Sequence, residues 1–227
     1  MMALLEVCVE TIADAKLAVA HGADRIELCA QLSEDGLTPT ADMLTEISSI
    51  DAPCMVMIRP RAGDFVYDAA ALKQMHAEIT AAKLAGAAGL VFGALNVDNE
   101  LDIAALKELL AAAEGLPVTL HRAFDALEDP FAALETAIEL GFSRILSAGG
   151  AASAWVGREQ LAAMVKQAGD RLTILPGVGV RAEHASALLR ETGASELHAS
   201  CRQSGLPADQ VRVDFQAVQA LRAAIDR

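Results

Sequence analysis

The chain has no apolar run near the roughly 20 residues that cross a bilayer. Its N-terminus, MMALLEVCVET, lacks the basic start and small-residue cleavage site of a signal peptide. Both absences lead to the expectation of a cytoplasmic protein without a membrane partner. Positive charge is scarce: 18 Lys and Arg stand against 31 Asp and Glu, a formal net charge of -13. Nucleic acids and anionic membranes are bound by clustered cations, so neither is an expected partner. No Gly/Ser/Pro-rich linker or charge block interrupts the sequence, which is read as one domain over residues 1–227. Four cysteines are too few for a disulfide scaffold in a chain of this size, and a reducing compartment leaves them as thiols for metal or redox chemistry. What is abundant is apolar surface: 53% of 227 residues are hydrophobic, enough for a sizeable core.

That apolar content falls into short runs alternating with helical patterns. Residues 4–9 read as a buried strand and residues 11–21 as a helix that opens on Thr11 and stops at Gly22. The second strand, residues 25–29, passes through a loop at residues 34–39 into a helix predicted from about Thr40 to just before Pro53. Strands follow at residues 54–59, 90–93, 118–121, 144–147, 172–175 and 196–200. Helices are predicted at about residues 69–85, 101–113, 130–140, 158–168, 181–191 and 213–225. A strand that must return parallel to its neighbour needs a crossover packed on the sheet. Eight such units in under 250 residues predict an α/β fold, a (β/α)8 TIM-type barrel. The competing open doubly wound sheet usually carries a glycine fingerprint after its first strand, and none is present here.

In such a barrel the reactive groups sit at the C-terminal ends of the strands. Strand alternation then decides which side chains point inward. Leu5 and Val7 are assigned outward and Glu6 and Cys8 inward; Ile26 and Leu28 outward and Glu27 and Cys29 inward. The Glu-x-Cys pattern therefore occurs twice, at the ends of two adjacent strands. Arg59 follows Met55 and Met57 inward, His121 shares a face with Thr119, and His198 one with Glu196 and Ser200. Two thiols within mutual reach suit a soft ion such as Cu(I), although free cysteines are also ordinary buried hydrophobes. Ionised carboxylates are seldom buried unpartnered; Arg59 and Arg122 are the cations that would neutralise Glu6 and Glu27 in a purely structural network. All five lysines lie in helical segments, so no strand lysine is available for Schiff-base chemistry.

Five motifs together resemble the CutC copper-homeostasis family: Leu5-Glu6-Val7-Cys8; residues 22–29, GADRIELC; Gly36-Leu37-Thr38-Pro39; Ile58-Arg59-Pro60-Arg61 with Gly63-Asp64-Phe65; and His121-Arg122-Ala123-Phe124-Asp125. Weaker echoes are Arg144-Ile145-Leu146 and Glu196-Leu197-His198. Leu120 stands where the family pattern would carry an aromatic, and the turn at residues 176–179 is less glycine-rich than that pattern. The resemblance implies a (β/α)8 barrel, a cytoplasmic location, a homodimer or larger homo-oligomer, and copper as Cu(I) with Cys8 and Cys29 as ligands.

Two functions follow as expectations. One is a Cu(I)-binding copper-homeostasis protein that uses the Cys8 and Cys29 pair. The other is a barrel enzyme acting on a small anionic substrate. There Glu6 or Glu27 would be the base and His121 or His198 the acid or divalent-metal ligand, with Arg59, Arg61, Arg122 and Asp125 forming the anion-binding group.

Overall fold

The computed structural model describes residues 3–203, 205–207 and 210–226. Eight strands alternate with eight main helices. The strands are β1 Leu4–Val9, β2 Arg25–Leu28, β3 Cys54–Met57, β4 Gly89–Phe92, β5 Val118–Leu120, β6 Arg144–Ser147, β7 Thr173–Pro176 and β8 Glu196–Ala199. The helices are α1 Ile12–Ala20, α2 Ala41–Thr45, α3 Ala69–Leu84, α4 Ile103–Ala113, α5 Pro130–Leu140, α6 Arg158–Ala168, α7 Ala182–Thr192 and α8 Phe215–Ile225. All strand pairs are parallel, in the order β7-β6-β5-β4-β3-β2-β1-β8. β7 and β8 lie side by side and bring the sheet nearly to closure. The predicted (β/α)8 barrel is the observed fold.

Two cores result from strand alternation. The larger lies between the outer strand faces and the helices and holds Leu5, Val7, Ile26, Leu28, Val56, Leu90 and Phe92. The smaller fills the barrel's upper interior with Cys8, Cys29, Leu32, Met55, Met57 and Val91. At about 25 cal/mol per Å² of apolar surface removed from water, the outer core is the main stabilising contribution. Most helix starts follow ordinary capping chemistry: Thr11, Asp68, Asp102, Asp129 and Asp214 each accept main-chain N–H bonds from the first turn behind them.

Predicted boundaries shift by one or two residues at several elements, among them the third strand, which ends at Met57 and not Arg59, and the second helix changes most. The helix expected from Thr40 to Pro53 stops after Thr45 and continues only as a 3-10 turn, Ile47–Ser49. The hydroxyls of Thr45 and Ser49 bond back to the carbonyls of Asp42 and Glu46, at 2.7 and 2.6 Å, a competition that disfavours helix continuation. The fifth strand ends at Leu120, one residue early: His121 N still donates to Phe92 O of β4 at 3.2 Å, and its side chain caps the 3-10 helix Arg122–Ala126 that follows.

Candidate metal centre

The floor of the barrel interior is ionic. Arg25, at the start of β2, bonds through Nε to Glu6 of β1 and through Nη2 to Glu196 of β8 at 2.5 Å. Arg144 of β6 reaches the same Glu196 oxygen at 3.3 Å. These strands surround the barrel axis, so side chains that meet across them point inward. Arg25 and Glu6 are 4% and 1% exposed, a degree of burial that charged groups tolerate only when paired. The cation that neutralises Glu6 is therefore Arg25, and neither Arg59 nor Arg122 takes that part. Arg25 shares its parity with Glu27 and Cys29, which is the sequence signal that would have identified it.

One layer higher, Glu6 is level with His198, its register partner on β8. Glu6 Oε1 lies 2.7 Å from His198 Nδ1. Burial alone would raise the Glu6 carboxyl; the hydrogen bond to His198 and the charge of Arg25 outweigh it and hold the group at about 2. Glu6 is thus a fixed anion that orients the imidazole through Nδ1 and leaves Nε2 for the Cys8 side. Burial works against a charged His198, yet the acidic groups around it, Cys8, Glu27 and Glu6, push its proton affinity well above the ordinary value.

Cys8, Glu27 and His198 converge. Cys8 and Glu27 are register partners on β1 and β2, and one ligand atom from each of the three residues lies within 4.8 Å of the others. All three are buried, and Glu27 Oε2 has no partner. Burial raises the Glu27 carboxyl to about 7, partly offset by the charge of His198. A thiol, an imidazole with a carboxylate behind it and an unsatisfied carboxylate oxygen form a mixed S/N/O donor set. The carboxylate–histidine unit is the usual outer support of a metal-bound imidazole.

Cys29 stands apart from this trio. It is fully buried, its thiol donates to Val9 O at 3.6 Å, and the loop at Gly36 packs over its sulfur. Burial, followed by the nearby Cys8, raises its pKa well above that of a free thiol. It shares the apolar cluster of Cys8, Met55 and Met57. Cys201, just beyond β8, lines the mouth and is pushed up to about 12 by burial and by Cys8.

The trio opens into a cavity of about 870 Å³, which is also lined by Arg59, Phe65, His121, Arg122, Val178–Ala182 and Arg202. The residues expected to hold an anion are placed unevenly around it. The Arg59 guanidinium ties down loops by donating to the carbonyls of Glu34 (2.5 Å), Gly36 (3.2 Å) and Gly63 (2.9 Å). Arg61 is exposed and bonded to Asp64 Oδ1 at 2.6 Å, outside the cavity lining. Arg122 pairs with Asp125 at 3.2 Å. Asp125 accepts from Ser147 Oγ at 2.5 Å and from Ala148 N at 3.0 Å, so it anchors the loop after β6. His121 is buried, and its Nδ1 accepts from Ala123 N at 3.2 Å. Burial, reinforced by Arg59, lowers its pKa to about 3, so the ring is neutral.

Comparison with known proteins places these features in a family. The model of the CutC family matches residues 3–203. A family protein CutC from Caulobacter vibrioides is 48% identical over 197 residues, 87% of this chain and 80% of that protein. The human copper homeostasis protein cutC homolog is 45% identical over 202 residues, 88% of this chain and 74% of that protein. A crystal structure of CutC from Streptococcus agalactiae superimposes with a TM-score of 0.82 at 32% identity, covering 88% of this chain and 99% of that one.

Proposed function

This chain belongs to the CutC family, and on that footing we propose that its part in copper homeostasis is to hold one copper ion, as Cu(I), at the inner mouth of the barrel. The observation that carries this reading is the convergence of Cys8, Glu27 and His198 within 4.8 Å. Thiolate and imidazole are ligands that suit copper. Cys8 supplies the soft donor and His198 Nε2 the second, with Glu6 and Arg25 behind the ring to fix its orientation. A carboxylate oxygen of Glu27 lies within the same 4.8 Å and offsets the charge of the ion. Cys29 lies behind Cys8 and is the second thiol of this reading; it serves once the metal displaces its proton. The chain carries copper as cargo. We place it in the cytoplasm as a homodimer or larger assembly, a reading supported by family membership.

Anaerobic Cu(I) titration against a chromophoric chelator tests the proposal. The expected result is one Cu(I) per chain, lost in the Cys8→Ser/Cys29→Ser double variant and weakened without disappearing in Cys29→Ser alone. Undiminished binding in the double variant would overturn it.

A second reading, acid–base chemistry on a small anionic substrate, is favoured by one observation: Glu27 is held at about 7 beside a cavity wide enough for a metabolite. If it is right, Glu27→Gln abolishes turnover of an identified substrate; retained turnover contradicts it.

A further inference from the structure

The cavity reaches well past the three candidate metal ligands, and its far wall is made by the turn between β7 and α7 and by the segment after β8. α7 is 11 residues long and no side chain caps it, because its N-cap position is occupied by Arg181, a donor with no acceptor atom. Among the described residues, no acceptor is found for the N–H groups of residues 178–183. Val180, Arg181 and Ala182 line the cavity, so the positive end of the helix opens into it. Val178 takes a φ of +73°, a left-handed conformation uncommon for a β-branched residue. Two guanidinium groups stand at the same rim. Arg181 forms no ion pair among the described residues, and Arg202 spends one amino group on Leu32 O at 3.0 Å.

A helix end alone would be weak ground, but a second feature points to a ligand. With its Nδ1 accepting from Ala123 N, neutral His121 carries its proton on Nε2, and that buried N–H has no acceptor although the residue lines the cavity and is 3% exposed. A buried donor without a partner is costly, and a ligand oxygen would satisfy it. Glu27 on the inner wall and Asp35 and Glu183 at the rim oppose an anion, which favours a ligand held at the α7 end, away from Glu27.

We propose that this cavity binds a small organic phosphate, its phosphate group on the N-terminus of α7 between Arg181 and Arg202 and a carbonyl or hydroxyl oxygen at its other end accepting from His121 Nε2. The proposal rests on the cavity and is independent of the copper reading. Two arginines with several main-chain N–H groups match the charge and acceptor count of a phosphate better than those of a carboxylate.

The test is amide and imidazole NMR on the metal-free full chain, titrated separately with inorganic phosphate, glycerol 3-phosphate and acetate. Saturable shifts are expected at the amides of residues 178–183 with both phosphates, and glycerol 3-phosphate is expected to bind more tightly. Arg181→Gln should weaken both by about tenfold, a loss of one charge-assisted contact. His121→Asn keeps an oxygen for Ala123 N and should remove only the extra affinity of glycerol 3-phosphate. Absence of saturable shifts at these amides, an equal response to acetate, or a response untouched by Arg181→Gln would overturn the proposal. An organic-phosphate advantage that survives His121→Asn would overturn the His121 contact. Cys8→Ser should retain the phosphate response while its Cu(I) affinity falls, so failure of one reading is distinguishable from failure of the other.

Discussion

At the scale of single residues, the site depends on which buried charges are paired. Glu6 is paired twice, with Arg25 and with His198. Replacing it with Gln removes a buried partner from Arg25 and leaves it only Glu196, which Arg144 also shares; breaking a buried pair typically costs about 3–5 kcal/mol. Urea unfolding of Glu6→Gln should show a loss of that order, and a midpoint equal to wild type would contradict the pairing. Glu27 behaves oppositely. Its native pKa of about 7 lies above the ordinary 4.5 of a glutamate carboxyl, so between these values the unfolded chain releases the proton while the native chain keeps it. Stability therefore falls as pH rises through that window, by up to about 3 kcal/mol from this group alone. In metal-free protein, Glu27→Gln should gain on wild type between pH 5 and pH 8 in denaturant midpoints; parallel profiles would contradict the assignment. Strand alternation was sufficient to place Glu6, Cys8, Glu27 and His198 on the inner face. It could not rank Cys29 against Cys8, because Cys29 follows the last β2 residue and is sealed by a loop whose path depends on residues 31–37. Nor does spacing reveal that the two terminal amino groups of Arg59 donate to three loop carbonyls.

At the scale of elements, the barrel wall owes its shape to small residues on the inner strand face. A Cβ at Gly93, just after β4, would lie 2.8 Å from His121 Nδ1 and Cε1. One at Gly89, at the start of that strand, would meet Met55 and sit 2.6 Å from the carbonyl oxygen of Pro117. The contacts at Gly93 leave the imidazole no room to stay in place. Gly93→Ala is therefore expected to displace His121, with a loss of about 1–3 kcal/mol from overpacking and altered His121 ring resonances in NMR. Unchanged ring resonances would show that the close approach is not structural. The strands and most helices were legible because periods of 2 and 3.6 are written directly in the apolar pattern. The helix starting at Thr40 was overextended because apolar spacing continues through Ile47 and Ile50, while the hydroxyl back-bonds that end it are local hydrogen-bond choices invisible to periodicity.

At the scale of the whole molecule, a chain of net charge -13 gathers Arg59, Arg122, Arg181 and Arg202 around one cavity mouth. Asp35 and Glu183 share that rim, so attraction of small anions is confined to the side of the mouth formed by Arg181 and Arg202. Among the described residues no helix is long and apolar enough to cross a membrane. The family and the nearly closed parallel architecture were legible in the order of the motifs, since each motif falls at a strand end or in the loop that follows it. The composition of the metal centre was not, because it depends on the register of three neighbouring strands, β2, β1 and β8, a relation set by strand stagger and not by spacing along the chain. On the proposed reading, copper sits on Cys8 with His198 beside it. The X-ray absorption spectrum of the Cu(I)-loaded protein tests this most directly. The claim predicts sulfur and imidazole scattering together in wild type, with the sulfur contribution reduced or lost in Cys8→Ser. A spectrum without imidazole, or one unchanged in Cys8→Ser, would contradict it.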